Sequence, residues 1–298
     1  MSPSPEILSV SSQDQVHSTL SLYRTEDALA PVVVCMPAMG VRASFYAPLA
    51  EALSARGLHC ATADLRGHGG SSVRASRRTN FGYYEMIQYD WPAVLDCVRL
   101  HLPDSPIWLL GHSLGGQLSA LYMAEQPGSV AGLILLASCN VYYKGYAKPL
   151  RTLVSTQFLR GVSEVLGYLP GDRIGFAGRE ARRLIRDWAR NARTGDYYPE
   201  RSPINYERLL EAVTKPVLAI SFESDELAPA EAVANLYCKM PSAEVTHWRL
   251  TNADFGGACV GHFNWIKHSE NLAQRLGGWL NERNALHPES TLTAPQES

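Results

Sequence analysis

An excess of charge of either sign is missing from this sequence. Its 27 lysines and arginines face 29 aspartates and glutamates, a net charge of -2. That balance gives no global reason to expect nucleic acid or an anionic membrane as a partner. Long apolar runs are also missing, and none approaches the ~20 residues needed to span a bilayer. The opening Met1-Ser2-Pro3-Ser4-Pro5 has no basic region leading into an apolar stretch. No signal peptide is therefore expected, and the cytoplasm is the expected compartment. The six cysteines form no C-x-x-C pair, which argues against a zinc site or a thiol-disulfide motif. Cys35, Cys60 and Cys139 lie in or beside apolar runs and are expected to be buried free thiols. No internal repeat is present.

What remains is the composition of an ordinary globular protein, 46% hydrophobic over 298 residues. Such a chain is long enough to bury a large core without metals or disulfides. Short β-like runs near 6–10 and 19–23 open it. Val32-Val33-Val34-Cys35-Met36, 58–64, 107–110, 132–137, 217–222 and 245–250 then read as strands, several apolar throughout, as in a parallel sheet covered on both faces. Helical spacing fills 45–56, 83–102 and 114–125. The alternation predicts an α/β fold with a mostly parallel central sheet of about eight strands and helices on both faces. The pattern breaks between 140 and 206, where no β-rich apolar run occurs. A core of 1–139 and 207–284 interrupted by a helical insertion is the expectation, with a disordered polar tail from 285 to 298.

Gly111-His112-Ser113-Leu114-Gly115 is a G-x-S-x-G turn between a predicted strand and a predicted helix. The serine would stand above the sheet edge. Crowding of the backbone there demands small residues two before and two after. The Leu114 N–H, at a helix N-terminus, would point to where an oxyanion forms. Simple helix capping by the serine is the plainer alternative. His112 is expected to point away from the serine, into packing.

With this turn the sequence resembles the α/β-hydrolase superfamily over roughly residues 20 to 283. Asp64-Leu65-Arg66-Gly67-His68-Gly69-Gly70-Ser71 looks like the family's D-x-R-G-x-G-x-S loop. Pro37-Ala38 stands where many members carry His-Gly, and the resemblance implies that the next residue, Met39, supplies a second oxyanion N–H. Ala38-Met39-Gly40-Val41, Phe45-Tyr46 and Gly261-His262-Phe263 are similar to a poorly characterised bacterial subgroup of hydrolases.

The family's chain order is serine, acid, histidine. A base after the last strand is then His262, in a loop opened by Gly257 and Gly261. His247 falls inside the strand, His268 in the following helix and His68 in the Gly-rich loop. The acid should follow 217–222, where Glu223, Asp225 and Glu226 are the candidates. Asp225 is preferred because Asp225-Glu226-Leu227-Ala228-Pro229 resembles the family's turn. Asp254 is the rival. In the implied cycle Ser113 is the nucleophile, His262 the base, and Asp225 orients the imidazole. No metal or organic cofactor is called for.

The resemblance makes 140–206 a lid. Tyr142, Tyr143, Tyr146, Phe158, Trp188, Tyr197 and Tyr198 would line an acyl pocket or, more simply, pack the lid down. Eight arginines between 173 and 201 stand beside five acids. Local ion pairs on a solvated face account for most of them. A second reading has some of these arginines hold an anionic substrate or carrier such as a coenzyme A ester, with Arg183 and Arg186 the pair whose removal would test it. The leading function is hydrolysis of a small-molecule carboxylic ester or thioester. Acyl transfer, lyase-type chemistry on the same residues, and a ligand-binding receptor are the alternatives. Serine at the elbow argues against the aspartate-nucleophile chemistry of dehalogenases and epoxide hydrolases. The sequence carries no mark of oligomeric state.

Overall fold

A computed structural model describes residues 4–286. The chain opens with β1 (Glu6–Ser11), β2 (His17–Tyr23) and β3 (Val32–Met36), followed by α1 (Ala47–Ser54) and β4 (His59–Ala63). A helical stretch begins as α2 (Tyr83–Glu85), passes through a π turn, Met86–Asp90, and continues as α3 (Trp91–His101). Next come β5 (Ile107–His112), α4 (Leu114–Glu125) and β6 (Gly132–Leu136). The insertion holds α5 (Pro149–Leu166), β7 (Tyr168–Pro170), α6 (Gly171–Ile174), β8 (Arg179–Ala181) and α7 (Arg182–Thr194). The core resumes with α8 (Tyr206–Glu211), β9 (Val217–Phe222), α9 (Ala230–Tyr237), β10 (Val245–Leu250) and α10 (Ser269–Leu286).

Eight strands form one sheet in the order β1-β2-β4-β3-β5-β6-β9-β10. β1 and β2 are antiparallel to their neighbours, and the remaining pairs are parallel. The central strands are mostly apolar because both faces are covered. Every residue of β3, β5, β6 and β9 is buried. The chain steps from β3 to β4 in one direction and from β4 to β5 in the other. Right-handed crossovers therefore put α1 and α3 on opposite faces. The order reverses at β3, so the loops after β3 and β5 leave the carboxyl edge side by side, where open α/β sheets bind ligands.

Cys35, Cys60 and Cys139 are buried and unbridged. Two details depart from expectation. The insertion is not wholly helical, for β7 and β8 pair as a small antiparallel sheet. The three-residue strands, one ending in Pro170, carry no alternating pattern to betray them. The tail expected from 285 is shortened, since α10 runs through Leu286. The rest of that expected tail lies outside the described residues. Among the described residues no helix is long and apolar enough to cross a membrane.

Candidate active site

Ser113 sits between β5 and α4 with φ 52° and ψ -117°. Positive φ is rare for a residue with a side chain and costs about 1–3 kcal/mol. The surroundings leave no other path. A Cβ on Gly111 would lie 2.2 Å from Gly116 Cα, and one on Gly115 would lie 2.1 Å from the Met36 carbonyl oxygen. The serine backbone is anchored at both ends. Its N–H donates to Leu136 O at 3.1 Å, and its carbonyl accepts from Ser138 Oγ at 2.7 Å. Ser113 is half-buried, while its neighbours 112 and 114 are buried.

The loop after β3 runs beside this turn because Met36 pairs with Gly111. Ala38 N–H donates to the Tyr46 hydroxyl at 2.9 Å, and Met39 follows, half-buried. Asp64 braces the loop from below. Its carboxylate accepts from Ala43 N at 2.8 Å, Gly70 N at 2.9 Å and Thr19 Oγ1 at 3.1 Å.

Asp225 follows β9 and is buried. Its Oδ1 accepts from Leu227 N and Ala228 N, both at 2.9 Å, and its Oδ2 lies 2.8 Å from His262 Nδ1. A carboxylate only accepts, so the proton of this last bond sits on Nδ1. Nε2 of the neutral ring then keeps a free lone pair. Of the four acids considered, Asp225 is the one that meets His262. Glu223 and Glu226 are exposed. Asp254 accepts from Thr251 N and Oγ1 and pairs with Arg275, which holds its carboxyl below the usual range, the Thr251 backbone bond first among the causes. The other histidines weighed as bases are engaged elsewhere. His247 bonds Ser221 Oγ, His68 pairs with buried Glu180, and His268 packs on Phe255.

His112 is where the reading of the sequence fell short. It does point into packing, but it is also hydrogen-bonded at both nitrogens. Nδ1 lies 2.9 Å from the Tyr46 hydroxyl, and Nε2 lies 2.8 Å from the backbone carbonyl of His262. Burial holds its pKa well below that of a free imidazole. Only a local signal, its place beside the serine, could have drawn attention to it.

The insertion touches the loops at this edge of the sheet in two places. A Cβ on Gly40, just past Met39, would lie 2.2 Å from Gly178 N in the β7–β8 connection. Tyr146 donates to Leu227 O at 3.1 Å, in the same turn as Asp225. Tyr197 is buried, whereas Phe158 is 68% exposed. Two of the arginines, Arg183 and Arg186, are already paired. Arg183 donates to buried Glu85 at 2.6 Å, and Arg186 pairs with Glu164 at 2.7 Å and Glu200 at 2.6 Å. The idea that these two await an anionic substrate is thereby corrected: their charges are met within the fold, and Arg183 is buried rather than solvated. Among the described residues no group of three or more histidines, cysteines, aspartates or glutamates is placed to hold a metal ion.

Comparison with known proteins agrees with this architecture. Residues 28–185 match the model of a family described as serine aminopeptidase, S33. Monoglyceride lipase of Mus musculus is 31% identical over 94 residues, which is 31% of this chain and 29% of that protein. The match thus spans less than a third of the length of that relative. Among solved structures, a soluble variant of monoglyceride lipase from Saccharomyces cerevisiae superposes with a TM-score of 0.66 at 15% identity, covering 94% of this chain and 97% of that one. Est1E from Butyrivibrio proteoclasticus, solved with ferulic acid bound, gives 0.64 at 16% identity, covering 93% and 99%. The chain therefore belongs to the S33 serine aminopeptidase-like family and, with it, to the α/β-hydrolase superfamily.

Proposed function

We propose that the protein is a serine hydrolase that cleaves a carboxylic ester or thioester of a small molecule through an acyl-enzyme on Ser113. The observation that carries this reading is the Asp225–His262 contact, which fixes the imidazole with Nδ1 protonated and Nε2 able to accept a proton. Ser113 Oγ bonds to the substrate carbonyl carbon as its proton passes to His262 Nε2. Asp225 steadies the imidazolium that results. Backbone N–H groups of Leu114 and Met39 receive the oxyanion, and loss of one such donor raises a barrier by about 3–4 kcal/mol. The bond from carbon to the leaving oxygen or sulfur then breaks, and His262 returns the proton to the leaving group. Water repeats the sequence and frees the acid. Residues 140–206 act as a lid over the site. Monoglyceride lipases among the relatives favour a carboxylic ester over a thioester.

A fluorophosphonate probe followed by a panel of p-nitrophenyl esters and acyl-CoA species, with and without alcohol or amine acceptors, tests the proposal. Ser113 is expected to be labelled, and esters to be turned over with water as acceptor. Folded protein that resists labelling would overturn the acyl-enzyme. Turnover that appears only with an added acceptor would make the protein a transferase.

A further inference from the structure

A buried chain of hydrogen bonds joins the two loops that the proposed reaction must hold in register. It begins at Ala38 N–H, passes through the Tyr46 hydroxyl to His112 Nδ1, and leaves His112 Nε2 for the carbonyl of His262. Tyr46 and His112 are both fully buried. The direction of every bond follows from elementary chemistry. The His262 carbonyl only accepts, so His112 Nε2 carries a proton. Burial keeps the ring neutral, so Nδ1 is bare and accepts the Tyr46 proton. Tyr46 keeps that proton because burial pushes its hydroxyl well above the usual phenol range. Its oxygen is left to accept from Ala38 N–H. Each group has one role, and no second arrangement satisfies all of them.

We infer that His112, fixed by Tyr46 in its Nε2–H tautomer, is a positioning residue that ties the Ala38–Met39 loop to the backbone of His262. The inference rests on the proposed serine-hydrolase reading for its functional meaning. One end of the chain grips the Pro37–Ala38 peptide, one peptide short of the Met39 amide. The other grips the very residue whose ring serves as base. Trp265 Nε1–H donates to the same His262 carbonyl at 3.0 Å, so that oxygen is held from two sides. Phe45 stacks near-parallel to the His112 ring at 6.4 Å and closes it off. Neutrality has its own use. The rings of His112 and His262 are 5.0 Å apart, and a charged His112 would repel the imidazolium that forms on His262.

Tyr46→Phe is the mildest test, since it removes one oxygen and leaves the ring. Wild-type protein is expected to label with fluorophosphonate, and Tyr46→Phe to label about tenfold to 100-fold more slowly, with kcat reduced and KM within about twofold. His112→Gln, which restores an N–H donor toward His262, is expected to retain more activity than His112→Leu. Ring-nitrogen NMR supplies a readout independent of activity. His112 should show one protonated and one bare nitrogen, Nε2 and Nδ1 respectively, unchanged as the pH is lowered through the range where exposed histidines titrate. A His112 that titrates in the ordinary range, or carries its proton on Nδ1, would overturn the inference. So would a folded Tyr46→Phe with undiminished labelling and kcat. If wild-type Ser113 is not labelled, the hydrolase reading fails, while the spectrum still decides the tautomer by itself.

Discussion

Oδ2 of Asp225 stands 2.8 Å from Nδ1 of His262, although 36 residues of loop, helix and strand separate them and Asp254 lies far nearer in sequence. Asp225→Asn should leave the fold intact, since Oδ1 can still accept from Leu227 and Ala228. It should lower kcat by about 10⁴-fold, because the amide stabilises the wrong tautomer. Asp254→Asn should leave kcat unchanged within about twofold and lower stability by only ~0–1 kcal/mol, since the amide oxygen can still accept from Thr251 and only the partly exposed ion pair with Arg275 is lost. Steady-state kinetics and thermal unfolding of both variants separate the two acids.

The strained backbone of Ser113 gives a second prediction. Ser113→Ala and Ser113→Gly should both be inactive, yet glycine adopts φ 52° without penalty. The glycine variant should be about 1 kcal/mol more stable than the alanine variant by chemical denaturation. Equal stability would mean that the turn stores no strain.

Arg183 and Arg186 should differ sharply. Arg183→Ala leaves the buried Glu85 carboxylate with the Gly82 N–H and the more exposed Arg201, and should cost about 3 kcal/mol. Arg186 is about one-third exposed, and its removal should cost only ~0–1 kcal/mol. Neither change should alter the preference between neutral and anionic esters, as measured by kcat/KM on paired substrates.

His247 predicts a pH dependence of stability. Burial, with a smaller contribution from Arg249, lowers its pKa to about 4. The folded ring stays neutral while the unfolded one, near 6.5, takes up a proton. Its contribution to stability is therefore complete above about 6.5 and is lost as pH falls toward 4. The difference in melting temperature between wild type and His247→Gln should shrink across that window. A constant difference would remove the basis for the claim.

The sheet and the serine turn were legible because their signals are local. Val217–Phe222 is apolar at five of its six positions, Ser221 being the exception, and Gly111 to Gly115 carries its own steric explanation. Asp225 and His262 needed the order of parts along the chain, which the resemblance supplied. The role of His112 could not be read this way. Its partners, Tyr46 and the His262 carbonyl, lie 66 and 150 residues away in sequence. The β7–β8 pair was hidden for the opposite reason: its strands are too short to show a period. The arginines between 173 and 201 misled because a run of charge in sequence says nothing of the acids, such as Glu85 and Glu164, that the fold brings to meet it.

Gly40 and Gly178 meet backbone to backbone, with no room for a side chain on either. The insertion and the loop carrying Met39 are thus in direct backbone contact. If residues 140–206 are the lid and Met39 an oxyanion donor, as proposed above, a foreign lid grafted onto this scaffold would also re-aim that amide. Residues 38–41 would then have to be exchanged together with 175–180.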